Sequence, residues 1–270
     1  MAKYNAVNGV YRKVAKKYDP VDGVYRNVTK AFEPVDGVYR QYFSSDITAE
    51  ALAVGDSVWL DVDGTMTEFI VIQQGKPDSD AYGTADSSFG IANDGTWLLM
   101  KDVYSSQKWD SDKNDITYKY SNIHSYLNGT FYGLLDDKTK SAIKQAAIPN
   151  EKYDITGISH TRDYIFLLSG MEVGYRPLLS DSLDNGIMLA YFESGTTDAA
   201  NNKRIAYLNG TATEWWLRSV NSTTYGNARA VSNTGAFKVV TVTLSRGVRP
   251  ALILEGSTII AQSGGINIIA

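Results

Sequence analysis

Two aspartates separated by one residue, Asp61 and Asp63, suggest chemistry most directly. They lie in the run Asp61-Val62-Asp63-Gly64-Thr65, which has the form of the nucleophile motif of one class of phosphatases. In that class a carboxylate acts as the nucleophile, and the motif ends a buried parallel strand that a loop and a helix follow. The pair therefore indicates a hydrolase only if this structural context is present.

The residues after the motif favour a different structure. Met66 to Ile72 is rich in β-forming residues and leaves no room for a loop and a helix. An Asp-Gly pair between two strand-like runs is a strong signal for a tight hairpin turn. We predict a hairpin here, and a carboxylate-based hydrolase using Asp61 and Asp63 stays as the alternative function.

Other reactive residues are few. An acidic cluster follows residue 109, but it lacks the glycine and the final glutamate of an EF-hand and is predicted to be a solvated loop. The chain has no cysteine and two histidines, His124 and His160. Thiol chemistry and Cys-zinc sites are thereby excluded, and most catalytic triads lack members. We expect no enzymatic activity, no metal and no cofactor.

Composition narrows the class of protein further. The 270 residues carry a net charge of −4, with 43% hydrophobic and 21% charged residues, which is typical of a globular chain without a nucleic-acid footprint. No stretch has the length of apolar sequence that a membrane helix needs. The N-terminus lacks the apolar core of a signal peptide. The sequence predicts a protein made in the cytosol without membrane insertion.

Residues 1–45 contain a repeat with a period of 14 residues. The unit Val-Asn/Asp-Gly-Val-Tyr-Arg starts at Val7, Val21 and Val35. Its Asn-Gly or Asp-Gly pair predicts a small hairpin in each unit. Units this short cannot bury a core alone. We predict a docking or oligomerisation region, with a β-appendage folded onto the main domain as the alternative.

Residues 46–270 are predicted to form one α+β domain. Strands are expected at Val58–Leu60, Thr96–Met100 and Tyr164–Leu168. One helix is expected after Ser121 with a stop at Asn128-Gly129, and a second from Asp136 or Asp137 through Ala147. Ser169 and Glu172 have the spacing of a capping box, which predicts a short helix.

The stretch from Glu214 to Leu254 has stiff ends and a permissive middle. Trp215-Trp216-Leu217-Arg218-Ser219 opens it, and Gly247-Val248-Arg249-Pro250-Ala251-Leu252 closes it. Both ends have the composition of buried strands. Between them lie residues rich in Ser, Thr, Asn, Gly and Ala, which are typical of a surface. A rigid frame around a tolerant segment is what a recognition site requires.

The chain resembles a family of bacterial and phage domains. The residues that carry the resemblance are the two ends of the Glu214–Leu254 stretch, Ser121 to Gly129, and Phe166 to Ser169. Members of this family have a C-type-lectin-like fold, and many are the variable proteins of diversity-generating retroelements. The resemblance covers about residues 50–255, and the N-terminal repeat is similar to one that often precedes such domains. It implies an α+β fold with two main helices and short mixed or antiparallel strands.

In those systems a reverse transcriptase alters chosen codons at adenines near the C-terminus. The resemblance implies a variable segment at about 215–250, and Asn221 to Ala228 has the expected product residues. The cysteines of one branch of sulfatase-activating enzymes are absent, so that activity is not implied. The sugar-site triplets of calcium-dependent lectins are absent too.

We therefore expect a ligand-recognition protein with a diversified C-terminal surface, such as a phage tail or cell-surface adhesin. Its partners would be a protein or surface polymer on a target cell and, through the repeat, other virion or surface proteins. Two further possibilities stay open: the protein forms a homo-oligomer, or it is a purely structural component of a virion. The predicted scaffold residues are Trp215, Trp216, Arg218, Arg249 and Pro250. The predicted binding residues are Asn221, Ser222, Thr223, Thr224, Tyr225, Asn227, Arg229, Ser232, Asn233, Thr234, Phe237 and Arg246, with Tyr225, Arg229 and Phe237 foremost.

Overall fold

The N-terminal repeat forms three separate hairpins in the computed structural model. The structure describes residues 46–78, 82, 93–113, 117–150, 159–175, 186–221, 224–263 and 265–270, together with the backbone of six N-terminal strands. These strands are β1 (Tyr4–Val7), β2 (Val10–Lys13), β3 (Lys17–Val21), β4 (Val24–Val28), β5 (Lys30–Val35) and β6 (Val38–Ser44). In each hairpin the valines that flank the Asn-Gly or Asp-Gly pair face each other in register. The predicted hairpin in each repeat unit is confirmed.

The rest of the chain contributes seventeen described strands. They are β7 (Ile47–Thr48), β8 (Ser57–Val62), β9 (Thr65–Gln74), β10 (Thr96–Met100), β11 (Ser105–Lys108), β12 (Ile143–Lys144), β13 (Ala146–Asn150), β14 (Ser159–Asp163), β15 (Tyr207–Leu208), β16 (Thr211–Ala212), β17 (Trp215–Val220), β18 (Asn227–Val231), β19 (Phe237–Thr241), β20 (Ser245–Val248), β21 (Ala251–Leu254), β22 (Ile259–Ser263) and β23 (Ile266–Ile269).

Eight of these strands form the larger sheet, in the order β12-β21-β10-β9-β8-β23-β22-β7. All neighbours are antiparallel except β8 and β23. Strand β10 lies near the centre and is buried along its whole length, so the strand predicted at Thr96–Met100 is confirmed. Its continuous apolar run is what a strand covered on both faces needs.

The Asp61–Asp63 motif lies on the hairpin that joins β8 and β9. Val62 pairs with Thr65, so Asp63 and Gly64 are the two turn residues. Both have positive φ, 53° and 74°, as a type I′ turn requires. The predicted hairpin is confirmed, and the motif is followed directly by strand β9 rather than by a loop and a helix.

Five strands form the second sheet, in the order β11-β20-β17-β18-β19. Two clusters of buried apolar side chains fill the space around both sheets, and β17 contributes to both. Trp216 belongs to the cluster with Leu98 and Phe131, whereas Trp215 belongs to the cluster with Trp97. Strand β17 therefore packs against both parts of the core.

The helical content is small, and the expected helix ends are partly wrong. Ser121 caps α1 (Asn122–Ser125) as predicted, because its side chain accepts from the His124 amide at 3.2 Å. The helix does not stop at Asn128-Gly129. It continues through a π-helical turn (Tyr126–Phe131) into α2 (Tyr132–Leu134).

Asn128 lies within the helix, and its side-chain amide bonds to another segment. Its Nδ2 donates to the Ile165 carbonyl at 2.9 Å, and its Oδ1 accepts from the Tyr164 amide at 2.9 Å. The second helix, α3 (Asp137–Ala142), begins after the Asp136 cap as predicted. It ends at Ala142 rather than Ala147, since Ile143 and Lys144 pair with β21.

Two further predictions differ in detail. Ser169 and Glu172 make both reciprocal bonds of a capping box, at 2.9 and 3.2 Å, but the residues after them form turns instead of a helix. Tyr164–Leu168 forms a single bridge, Phe166 with Ala251, rather than a strand. One short helix, α4 (Asp198–Asn202), was not predicted.

The predicted α+β, C-type-lectin-like fold with two main helices is wrong. The protein is mostly β, with several sheets and one continuous helix of 13 residues. The error has a physical origin. The run after Asp136 has helical spacing, but sheet pairing with β21 overrides its local preference from Ile143 onward. Such pairing depends on residues more than a hundred positions away.

Candidate functional site

The paired tryptophans of β17 fix the frame of the C-terminal stretch. Both are fully buried, and each indole donates a hydrogen bond. Trp215 Nε1 donates to the Arg204 carbonyl at 2.9 Å, and Trp216 Nε1 donates to the Gln107 carbonyl at 2.9 Å. Buried indole N–H groups need such partners. The two rings therefore join β17 to two other segments of the domain.

The arginines at the two ends of the stretch bond to backbone carbonyls inside the protein. Arg218 donates to the carbonyls of Pro149 and Leu167 at 2.9 and 2.8 Å. Arg249 donates to the carbonyls of Met100 and Lys101, both at 2.9 Å, and its guanidinium lies 5.0 Å from the Trp215 ring. Burial lowers the pKa of Arg249 to about 10. At neutral pH it remains a buried cation.

Pro250 completes the closing end of the stretch. It is buried, and its carbonyl accepts from the Met100 amide at 2.9 Å. Gly247 lies where a Cβ atom would be 2.7 Å from Val103 and 2.8 Å from the Glu214 carbonyl. The glycine in this motif therefore allows β20 to lie directly against β17.

The hairpin of β18 and β19 brings several predicted binding residues onto one face. Asn227 pairs with Thr241, Arg229 with Val239, and Val231 with Phe237. Alternate residues of a strand point to the same side. The predicted residues Asn227, Arg229 and Phe237 therefore share a face, and the sequence did not identify their cross-strand neighbours Val239 and Thr241.

Arg229 and Asn221 are not exposed, and this part of the prediction is wrong. Arg229 is only 2% exposed; its Nε donates to the Val220 carbonyl at 3.0 Å, and its guanidinium lies 5.5 Å from the Phe237 ring. Asn221 is also buried, and its amide donates to the Asn227 carbonyl at 3.0 Å. The polar character of a residue in the sequence does not show whether other parts of the fold cover its side chain.

Phe237 and Ser232 are half-buried and mainly shape the hairpin. The Phe237 ring packs edge-on against Tyr175, with centroids 5.4 Å apart. Ser232 Oγ accepts from the amides of Thr234 and Ala236 at 3.2 and 3.0 Å, which closes the turn between β18 and β19. Asn233 and Thr234 at this turn are exposed. The turn lies at the opposite end of β18 from Tyr225.

Arg246 belongs to a cluster of charges rather than to an open rim. Its Nε donates to Glu214 at 2.5 Å, and Lys238 bonds to the other oxygen of the same carboxylate. Partial burial alone would raise the pKa of Glu214. The bonds from Lys238 and Arg246 outweigh it and hold that pKa below its ordinary value of 4.5. The cluster ties β17, β19 and β20 together.

Large apolar side chains are exposed on the outer strand of this sheet and on the loops beside it. Tyr225 is 47%, Leu244 48% and Val239 38% exposed. The loops that carry Tyr225 and Leu244 lie side by side, since the Val242 amide donates to the Gly226 carbonyl at 3.1 Å. The exposed residues Thr224, Tyr225, Val239 and Leu244 are together called the edge surface.

Two predicted binding residues, Ser222 and Thr223, lie outside the described residues. Within the described ranges, no group of three or more His, Asp or Glu side chains is placed to hold a metal ion. The described helices all fall short of the length and hydrophobicity that a membrane crossing requires.

The fold and the site together define a mainly β domain with a frame of buried Trp and Arg around an exposed strand edge. Residues 94–256 match a family described as a domain of unknown function, DUF6273. That match covers more than half of the chain, and the chain belongs to this family. No curated protein and no solved structure matches the sequence.

Proposed function

We propose that the protein is a ligand-recognition protein that binds a protein or surface polymer on a target cell through its edge surface. One observation carries this proposal. Tyr225, Val239 and Leu244 are exposed at one border of a sheet whose other side is packed into the core. Grouped apolar side chains on a surface mark interaction sites more often than isolated ones do.

The outer strand of this sheet supports binding of a large partner, such as a protein or a polymer. Strand β19 is the outer strand of its sheet, and within the part of the chain that the structure describes no other strand pairs with its outer side. An exposed strand edge can pair with another chain, while its side chains select that chain. Tyrosine adds a rigid contact that is both apolar and hydrogen-bonding.

The frame beneath the edge surface supports binding without rearrangement. Ala228 and Val240 on the inner face of the hairpin are buried in the same cluster as Trp216. The charges of Glu214, Lys238 and Arg246 tie β19 and β20 to the residue that precedes β17. A surface held in one conformation loses less entropy on binding. Substitutions at exposed positions would change the ligand without disturbing this support.

The wider setting of the proposal follows from the resemblance to diversified phage and bacterial proteins. We place the protein in a phage tail or on a cell surface, with its residue 215–250 segment varied by a retroelement. The three N-terminal hairpins would attach it to other virion or surface proteins. A reverse-transcriptase gene beside this one, with a near-copy of codons 215–250 differing at adenines, would support the diversification; its absence would argue for a fixed surface.

Binding to intact cells tests the proposal directly. Fluorescently labelled full-length protein is incubated with a panel of bacterial strains, and bound fluorescence is measured by flow cytometry. We expect saturable binding to at least one strain. The double variant Tyr225→Ala/Val239→Ala should reduce this binding at least about tenfold, since aromatic contacts dominate interfaces.

The matched control is Tyr120→Ala. Tyr120, at 67%, is the most exposed of the large apolar residues that the structure describes and lies outside the edge surface. This variant should bind as the unchanged protein does. Saturable binding that survives the double variant, or the absence of binding to every strain, would contradict the proposal.

A further inference from the structure

An open groove of about 560 Å³ lies apart from the edge surface. Three segments line it: strands β8 and β9, residues 100–104, and the hairpin of β15 and β16. The side chains that matter are Trp59, Glu68, Lys101, Asp102, Tyr104 and Tyr207. This volume lies in the range of small-ligand sites, which combine aromatic walls with a few placed polar groups.

The aromatic residues of the groove are partly exposed. Trp59 is half-buried, whereas the other four tryptophans are fully buried. Tyr207 is 45% exposed. Tyr104 is half-buried and packs edge-on against Phe131, with centroids 4.9 Å apart. A ring left partly open in a concavity offers a flat apolar face to a ligand.

The polar groups of the groove include both acceptors and donors. Glu68 accepts from Ser57 Oγ at 2.5 Å and from Lys101 Nζ at 2.7 Å. Partial burial would raise the pKa of Glu68, but the bonds from Lys101 and Ser57 outweigh it and lower that pKa. Glu68 is therefore a charged acceptor at neutral pH, and its partner Lys101 remains half-exposed as a donor.

The hairpin of β15 and β16 is held in place against the groove. The Tyr207 amide donates to Asp102 Oδ1 at 3.1 Å, and the Tyr207 carbonyl accepts from the Val103 amide at 2.9 Å. Its turn residues Asn209 and Gly210 have φ of 51° and 78°, which suits a tight two-residue turn. The Tyr207 backbone is therefore fixed before any ligand arrives.

We propose that this groove is a binding site for a neutral saccharide, without a metal ion. A sugar ring has an apolar face of C–H groups that stacks on aromatic rings, and hydroxyl edges that bond carboxylates, ammonium and amide groups. Trp59, Tyr104 and Tyr207 offer the rings, and Glu68, Lys101, Asp102 and Asn209 offer the bonds. The charges of Glu68, Lys101 and Asp102 sum to −1, which disfavours an anionic ligand.

The openness of the groove fits one or a few sugar units within a longer chain. The site is separate from the edge surface in position and in residues, so the two proposals can fail independently. Cell binding through Tyr225 and Val239 does not require the groove to be filled. Binding of a purified oligosaccharide does not require the edge surface.

Titration with neutral oligosaccharides tests the groove. Full-length protein is titrated with cellotriose, maltotriose, mannotriose and chitotriose, followed by tryptophan fluorescence and by calorimetry in buffer with EDTA. Because Trp59 alone among the five tryptophans is partly exposed, a saturable fluorescence change would report on this groove. We expect such a change with at least one of the four.

Variants then locate the binding. Trp59→Ala and Tyr207→Ala should each weaken the calorimetric affinity at least about tenfold, while Trp59→Phe should retain part of it. Tyr120→Ala and Tyr225→Ala should bind as the unchanged protein does. If Trp59→Ala fails to fold, Tyr207→Ala decides the question. No saturable binding of any of the four oligosaccharides, or affinity unchanged in Tyr207→Ala, would overturn the proposal.

Discussion

Arg218 and Glu172 form a two-pronged ion pair inside the protein. Nη1 lies 2.5 Å from Oε2 and Nη2 lies 2.6 Å from Oε1, and the two side chains are 2% and 0% exposed. Tyr82 also donates to Glu172, at 2.7 Å. The pair joins the middle of β17 to the turn that follows Leu168. Each side chain therefore places a compensating charge directly against the other.

Removing one member of this pair should therefore destabilise the protein strongly. We expect Arg218→Met to lower the free energy of unfolding by about 3–5 kcal/mol, because Glu172 is left as an uncompensated buried charge. Urea denaturation followed by far-UV circular dichroism measures this. The double variant Arg218→Met/Glu172→Leu should lose at least about 1 kcal/mol less than the sum of the two single variants.

An exposed ion pair serves as the control. Lys203 and Glu193 are 3.2 Å apart and both substantially exposed, so Lys203→Met should change stability by less than about 1 kcal/mol. If the losses from Arg218→Met and Glu172→Leu are additive, the two side chains do not stabilise each other as proposed.

Tyr225 and Phe237 should respond differently to the same substitution. Tyr225 is exposed, so Tyr225→Ala should change the free energy of unfolding by less than about 0.5 kcal/mol. Phe237 packs on Tyr175 and on the cation of Arg229, and Phe237→Ala should cost about 2–3 kcal/mol. Thermal and urea unfolding of the two variants give both values. Equal losses of unfolding free energy in the two variants would show that Tyr225 and Phe237 are packed to the same extent, which contradicts this prediction.

Local signals in the sequence identified the elements whose structure depends on neighbours in the chain. The Asp63-Gly64 turn, the Ser121 and Asp136 caps and the repeat hairpins follow from residues a few positions apart. The burial of Trp215 and Trp216 agrees with their apolar setting. These features need no knowledge of the tertiary fold.

Long-range pairing decided the features that the sequence did not reveal. Ile143 joins a sheet through β21, and Asn128 bonds to the 164–165 segment instead of ending its helix. Arginine and tyrosine are equally suitable residue types for a binding surface, yet of Arg229 and Tyr225 only Tyr225 is exposed. The groove is also invisible in the sequence, because Trp59, Lys101 and Tyr207 come from distant segments. Residue types alone do not specify which segments meet.

The turn between β18 and β19 should tolerate changes at its exposed residues but not at Gly235. Gly235 has φ of 78°, and a Cβ atom there would lie 2.1 Å from the Asn201 carbonyl oxygen. Its own carbonyl accepts from Tyr175 at 2.6 Å and from Arg204 at 3.0 Å. We expect Gly235→Ala to cost more than about 1 kcal/mol, measured by urea unfolding. Asn233→Ala in the same turn is the control and should stay within about 0.5 kcal/mol; equal effects would contradict this role of Gly235.

Glu214 should make the stability of the second sheet depend on pH. Its carboxyl has a lowered pKa in the folded protein because it bonds to Lys238 and Arg246. The folded state therefore favours the ionised form. The resulting stability is complete above the unfolded pKa of 4.5 and is lost as pH falls through the lower folded pKa.

Comparison with Glu214→Gln isolates this contribution. The variant should be less stable than the unchanged protein at neutral pH, and the difference should shrink as pH falls to about 3. It should also shrink in about 1 M salt, because the cluster is only partly buried and is screened. Urea unfolding across this pH range measures the difference at each point. A difference that stays constant from neutral pH to about 3 would show that the Glu214 carboxylate does not stabilise the fold through its charge.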